Sequence, residues 1–228
     1  VKSYEALCEG LGVTLIKRKV RQKPDAVTLL TTQYRMNEDI MRFSSEWFYH
    51  GKVESAPDVR HRSVLDYDIP MLWIDTADMS CREEFVGESY GRINKTEARL
   101  TLAALQLYFD KVGRERILSE RIDVGIISPY RAQVQFLRHL IKADPWFKPY
   151  RHLITVNTVD GFQGQERDII LISLVRANDE GQIGFLRDLR RMNVAMTRAR
   201  MKLIILGDAP TMTRHPFYKR LYEYIDNL

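Results

Sequence analysis

The chain has 228 residues, 45% hydrophobic and 29% charged, which is ordinary globular usage and excludes a fibrous or disordered polypeptide. Its 35 Lys and Arg against 30 Asp and Glu leave a net charge of +5, a mild bias towards an anionic partner. No apolar stretch approaches membrane-spanning length, and Cys8 and Cys81 lack the paired spacing of a metal site or disulfide, so a soluble protein of a reducing compartment with no bound metal is expected.

Short aliphatic runs alternate with longer amphipathic segments, the pattern of a mainly parallel sheet covered by helices. Strands are expected at residues 27–30, 71–75, 124–128, 154–158, 169–175 and 203–206. Helices are expected at 38–49, 131–142, 189–199 and 217–226. A further long helix starts after Asn94, where Glu97 suits a reciprocal cap, and Leu100, Ala103, Ala104, Leu107 and Tyr108 mark its buried stripe. Residues 79–91 fit neither period and read as a mobile surface loop. Between the strands at 154 and 169 there is no room for a crossover helix, which leaves open whether they pair directly.

Four segments carry candidate chemistry. Gln33-Tyr34-Arg35-Met36-Asn37 lies between a strand and a helix, where open α/β sheets present residues to ligands. Its tyrosine can stack on a base and its guanidinium can meet a phosphate with several fixed donors; a surface Tyr–Arg step at a helix start is an equal reading. Ser128-Pro129-Tyr130-Arg131-Ala132-Gln133 turns a strand into a helix, with Pro129 suited to the first turn. Thr158 to Glu166 follows a strand and contains Gly161 and Gly164, which permit close backbone approach; alone, it reads better as a polar turn.

The fourth segment, Arg190 to Arg200, reads as helix. Arg191 and Arg198, seven apart, would share a face. Arg187, Arg190, Arg191, Arg198, Arg200 and Lys202 crowd around a single acid, Asp188, which points to a negatively charged partner there.

In this order and spacing, "QYRMN", "SPYRAQ", "VNTVDGFQGQERDIILISLVRAN" and "RRMNVAMTRAR" resemble the second motor domain of superfamily 1B, Upf-like helicases, from about residue 28 to 208. The resemblance implies an α/β, RecA-like fold of the P-loop-NTPase type, with helices on both faces of the sheet. Gly-x-x-x-x-Gly-Lys-Ser/Thr does not occur, so the fold would lack its own phosphate loop, Walker A. Residues 1–26 would be a linking segment or helix from the first motor domain, because "VKSYEAL" resembles the sequence just past that domain's last motif, and 27–228 the second motor domain.

Carried over residue by residue, the resemblance places Gln33, Tyr34, Arg35, Gly164, Glu166 and Arg198 at ATP. Tyr34 lies against the adenine, Arg35 at the γ-phosphate, Glu166 at the ribose, and Arg198 is the arginine finger assisted by Arg191. Ser128, Pro129, Tyr130, Thr158 and Gln163 match the surface that holds the nucleic-acid backbone. The implied cofactor is ATP with Mg2+, whose ligands belong to the first domain. The implied partners are that domain and a single-stranded nucleic acid, with DNA favoured over RNA, movement 5′ to 3′, no membrane, and a bacterial cytoplasm. A Rossmann-like small-ligand module would also lack the phosphate loop, but would not need Tyr34, Arg35, Glu166, Arg191 and Arg198 in helicase order. A degenerate domain kept for protein contacts would be expected to have lost Arg35 or Arg198.

Overall fold

Aliphatic runs that bury both faces assemble the sheet. The computed structural model describes residues 15–87 and 91–228, and the chain divides into two compact units, Val1–Thr31 and Thr32–Leu228. The first unit contains helix Leu15–Gln22 and a 3-10 turn, Pro24–Ala26; Cys8 and the "VKSYEAL" opening lie outside the described residues. In the second unit the described residues form β1 (Thr32–Gln33), β2 (Glu54–Ser55), β3 (Met71–Asp75), β4 (Glu84–Val86), β5 (Gly91–Ile93), β6 (Val124–Ile127), β7 (Ile154–Asn157), β8 (Arg167–Ser173) and β9 (Ala199–Gly207). β3, β9, β8, β6 and β7, in that spatial order, make one parallel sheet. Among the described residues no helix is long and apolar enough to cross a membrane.

Side chains of β8 and β9 alternate between the two faces, as the pleat requires. Ile170, Ile172, Leu203 and Ile205 pack with Ile40 and Phe43 of helix Glu38–Tyr49, Met192 and Met196 of helix Leu189–Met196, and Phe217 and Leu221 of helix Pro216–Asp226. Ile169, Leu171, Ile204 and Leu206 pack with Leu105 and Phe109 of helix Lys95–Val112 and Val134 and Leu137 of helix Arg131–Ala143. Each fully buried side chain of this size contributes about 1.5–3 kcal/mol. The class is α/β with a helical layer on each face, as expected.

Several local expectations are overturned. Residues 27–30 form no strand; Val27, Leu29 and Leu30 are exposed, and an apolar run becomes a strand only where another strand takes its backbone hydrogen bonds. The strands at 154 and 169, whose pairing the sequence leaves open, are separated by β6, which pairs with both. β8 stops at Ser173, before Val175, whose φ of 72° is foreign to a strand. Residues 79–91 contribute β4 to a hairpin with β5, and Glu83 binds Arg92 (2.5 Å) and Arg176 (2.6 Å). The helix at 189 ends at Met196, and Ala199, expected as its last residue, opens β9 opposite Arg167.

The stripe of helix Lys95–Val112 is also rotated. Leu102, Leu105, Phe109 and Val112 are buried with Tyr108, whereas Leu107 is 71% exposed. Asn94 caps the helix by accepting from Glu97 N at 3.0 Å, but the Glu97 carboxylate does not return the bond. Glu97 Oε1 accepts from Ser173 Oγ (2.6 Å) and Val175 N (2.8 Å), while Gln133 Oε1 accepts from Asn94 N and Gln133 Nε2 donates to Asn94 O and Ser173 Oγ, each at 3.0 Å.

Burial pushes the Glu97 carboxyl up to about 7, against the pull of its two hydrogen bonds. An exposed glutamate in the unfolded chain titrates near 4.3. Between those values the folded state holds the extra proton, so stability weakens as pH rises through the window and levels off above it. Relative to Glu97→Gln, which imitates the protonated acid, the wild-type unfolding free energy should fall between about pH 4 and pH 7, by an amount on the order of 3 kcal/mol. Parallel denaturation curves for the two proteins across that range would remove Glu97 as the origin.

Candidate functional site

The Gln33–Asn37 turn is shaped by its own side chains. Gln33 Oε1 accepts from Arg35 N and Met36 N, both at 2.7 Å, and Gln33 Nε2 donates to Met36 O (2.8 Å) and Ser55 Oγ (2.5 Å). The Gln33 amide, expected at ATP, is thus engaged in holding the turn. Asn37 caps the following helix by accepting from Asp39 N at 2.9 Å. Its backbone N–H donates to the carbonyl of Arg200 in β9 at 2.8 Å, which ties the turn to the sheet. Tyr34 projects outward, 72% exposed.

That tie brings four charged side chains together. Arg35 Nε pairs with Glu166 Oε2 at 2.5 Å and Arg35 Nη1 donates to Thr197 O at 2.9 Å. Arg198 Nη1 donates to Gln165 O at 3.1 Å. Arg200 Nη1 stands 3.5 Å from Glu166 Oε1, so one carboxylate faces two guanidinium groups. Arg198 Nε is buried with no acceptor. Burial, and then the positive charge of Arg35, depress the Arg198 pKa, with Glu166 opposing.

Arg200 behaves in the opposite way. Burial disfavours its charge, but Asp168 and Asp123 outweigh that and raise its pKa. Its Nη2 is 2.9 Å from Asp123 Oδ1, and its Nε 2.9 Å from Asp168 Oδ1 without hydrogen-bond alignment. Arg200, Asp123 and Asp168 were visible in the sequence only as one arginine of a basic run and two acids beside strands.

Glu166 immediately precedes β8 and Arg198 immediately precedes β9, so this cluster sits at the N-terminal edge of the sheet. Gly164 adopts φ +77°, a conformation costly for other residues, on the approach to Glu166. Ser128, Pro129 and Thr158 follow β6 and β7, at the C-terminal edge, roughly 20 Å away along seven residues of β8.

At that second edge Ser128 (0%) and Tyr130 (4%) are buried and offer no surface donor. Ser128 Oγ accepts from Tyr130 N at 3.5 Å, and Tyr130 Oη accepts from Arg176 Nη1 at 3.4 Å. Pro129 and Thr158 instead line a cleft with Asp160, Phe185 and Arg191, and Gln163 is exposed beyond the turn Asp160–Phe162. Arg191 does not share a face with Arg198. The helix ends between them, and Arg191 Nη2 points to Asp160 Oδ2 at 3.5 Å.

A family model described as an AAA domain matches residues 11–210. The chain belongs to this AAA domain family. Among relatives of this AAA domain, the DNA-binding protein SMUBP-2 of Mesocricetus auratus is 34% identical over 97% of the chain and 22% of its own length. The uncharacterized ATP-dependent helicase MJ0104 of Methanocaldococcus jannaschii is 33% identical over 95% and 32%. The DNA replication ATP-dependent helicase/nuclease DNA2 of Homo sapiens is 33% identical over 100% and 23%. The AAA domain thus spans less than a third of the length of these relatives, which bear out the superfamily 1B resemblance. A solved C-terminal domain of a possible DNA helicase from Lactobacillus covers 81% of the chain, and the chain 96% of it, at 16% identity and a TM-score of 0.46.

Because both ends of the Gln33 amide are used, Gln33→Ala should strand two backbone donors and lower stability by about 1–2 kcal/mol. Urea denaturation tests this, and an unshifted midpoint would show that the turn is held by other contacts.

Proposed function

We propose that this chain is the second motor domain of an ATP-dependent superfamily 1 helicase, residues 1–26 being the link from a first motor domain in the same protein. The observation that carries the reading is the pair of guanidinium groups at the N-terminal edge. Burial, and after it the charge of nearby Arg35, depress the Arg198 pKa, and Arg198 Nε is buried without an acceptor. Such an arrangement favours an anion that satisfies both, and a terminal phosphate has the charge and the acceptors. Tyr34, exposed beside Arg35, would cover an adenine. Glu166, once released from Arg35, can accept from ribose hydroxyls.

ATP would supply the phosphoanhydride whose cleavage drives the motor, and its magnesium ligands and phosphate loop are assigned to the first domain. The role of this chain is to place positive charge. Arg35 and Arg198 would stabilise charge on the terminal phosphate and lose that partner once it leaves, which changes how the two domains hold one another. At the opposite edge Pro129, Thr158 and Gln163 would meet the backbone of a single strand. The names of two relatives, a DNA-binding protein and a DNA replication helicase/nuclease, favour DNA, and 5′ to 3′ movement follows the family resemblance.

In the full-length protein, Arg198→Ala should lower ATP turnover by about 10³- to 10⁵-fold while leaving single-strand binding largely intact. Near-normal turnover would refute the assignment. The 228-residue chain should itself bind single-stranded DNA weakly, with an affinity that falls steeply as salt rises. Filter binding at two salt concentrations checks this, and salt-insensitive binding would count against backbone contacts.

A further inference from the structure

Phe185 leaves 59% of its surface to solvent although Ile183 and Leu186 on either side are buried. Its inner side packs on a neighbouring ring. The Phe185 ring lies 5.7 Å from the buried Tyr130 ring at an interplanar angle of 46°. The preceding Gly184 adopts φ +55°, and a Cβ there would stand 2.3 Å from Arg176 Nη1 and 2.8 Å from Tyr130 Oη. Glycine suits this turn, because its positive φ is costly for most residues and a side chain there would have to push aside the ends of Arg176 and Tyr130.

The exposed ring borders the cleft of Pro129, Thr158, Asp160 and Arg191 at the C-terminal edge of the sheet. The Arg191 side chain is 52% exposed, and its carboxylate neighbours, Asp160 and Asp188, stand 3.5 and 3.8 Å away. Those distances exceed the 2.7–2.9 Å of a charge-assisted hydrogen bond, which leaves donor capacity for another anion.

We propose that Phe185 is a stacking platform for one base of a single-stranded nucleic acid, with Arg191 beside it to meet the adjoining phosphate. This rests on the reading of the chain as a strand-gripping motor domain. A half-exposed ring, packed on Tyr130 and next to a backbone-contact surface, offers a π-face to any base and so grips without reading sequence. Asp160 and Asp188 offset much of the charge of Arg191, so the contact draws on stacking more than on counterion release. Loss of the ring should therefore weaken binding without changing its salt dependence.

Binding of a labelled oligothymidylate to the 228-residue chain tests this, with a strand of equal length made of abasic sites as a second probe. Phe185→Leu keeps apolar contact with Tyr130 but removes the π-face. It should bind oligothymidylate about 5- to 150-fold more weakly, with the same salt slope, and bind the abasic strand as wild type does. Phe185→Trp should retain affinity, with indole fluorescence quenched on oligothymidylate binding and not on abasic binding. Salt-sensitive wild-type binding that Phe185→Leu leaves unchanged overturns the platform and leaves the motor reading standing. If Phe185→Leu loses both probes through misfolding, the tryptophan decides: an unquenched indole on bound strand also overturns the platform. Failure of the wild-type chain to bind any strand at low salt overturns both.

Discussion

Bringing the guanidinium groups of Arg35 and Arg198 together costs electrostatic energy, and backbone hydrogen bonds from two distant parts of the chain impose it. Arg167 N donates to Arg198 O at 2.9 Å, which begins the β8–β9 ladder with Glu166 and Arg198 side by side. Asn37 N donates to Arg200 O two residues further on, which delivers Arg35 to the same spot. Neither bond involves the charged atoms. Glu166 relieves part of the repulsion by pairing with Arg35 and lying near Arg200; burial first, and the Arg35 charge second, still hold the Arg198 pKa down, and its Nε stays unsatisfied. The site is therefore strained electrostatically by the fold rather than by any feature of its own side chains.

β8 joins this edge to the other. At its start are Glu166 and the Arg198 contact; at its end Ser173 Oγ donates to Glu97 Oε1 and accepts from Gln133 Nε2, inside a buried network that also holds Asn94. These polar groups sit where water cannot reach, and all but Glu97 Oε2 find a partner within the protein. The network locks helices Lys95–Val112 and Arg131–Ala143 to the end of β8, and the segment that carries Pro129 and Tyr130 feeds directly into the second of these helices. The C-terminal edge is thus braced by buried hydrogen bonds, and the N-terminal edge by charge.

The two edges also divide the arginine-rich segment. Helix Leu189–Met196 descends from the C-terminal edge, where Arg191 faces Asp160, and gives way to β9 at Ala199, where Arg198 faces Gln165 O. Residues seven apart in sequence end at opposite ends of the sheet because the helix stops at Met196 and sheet pairing takes Ala199 into β9. The aliphatic run Leu203–Leu206 requires a strand, and a long strand with both faces buried gains more than one further helical turn would.

Periodicity alone determined the α/β class and the five main strands to within a few residues, and the family resemblance carried by motif order implied that Arg35, Glu166 and Arg198 would meet. These depend on local patterns: alternation in the strands, the strand–turn–helix setting of Gln33–Asn37, and the spacing of segments that resemble one family. Only the tertiary structure decided which side of a helix was buried, as with Leu107, and which polar groups were spent internally, as with Gln33, Ser128 and Tyr130. It also decided that β6 separates β7 from β8, and that Arg191 and Arg198 part company. Those outcomes turn on competition between distant partners for the same hydrogen bonds and the same buried space, and a one-dimensional pattern records the candidates for such contacts without recording which of them wins.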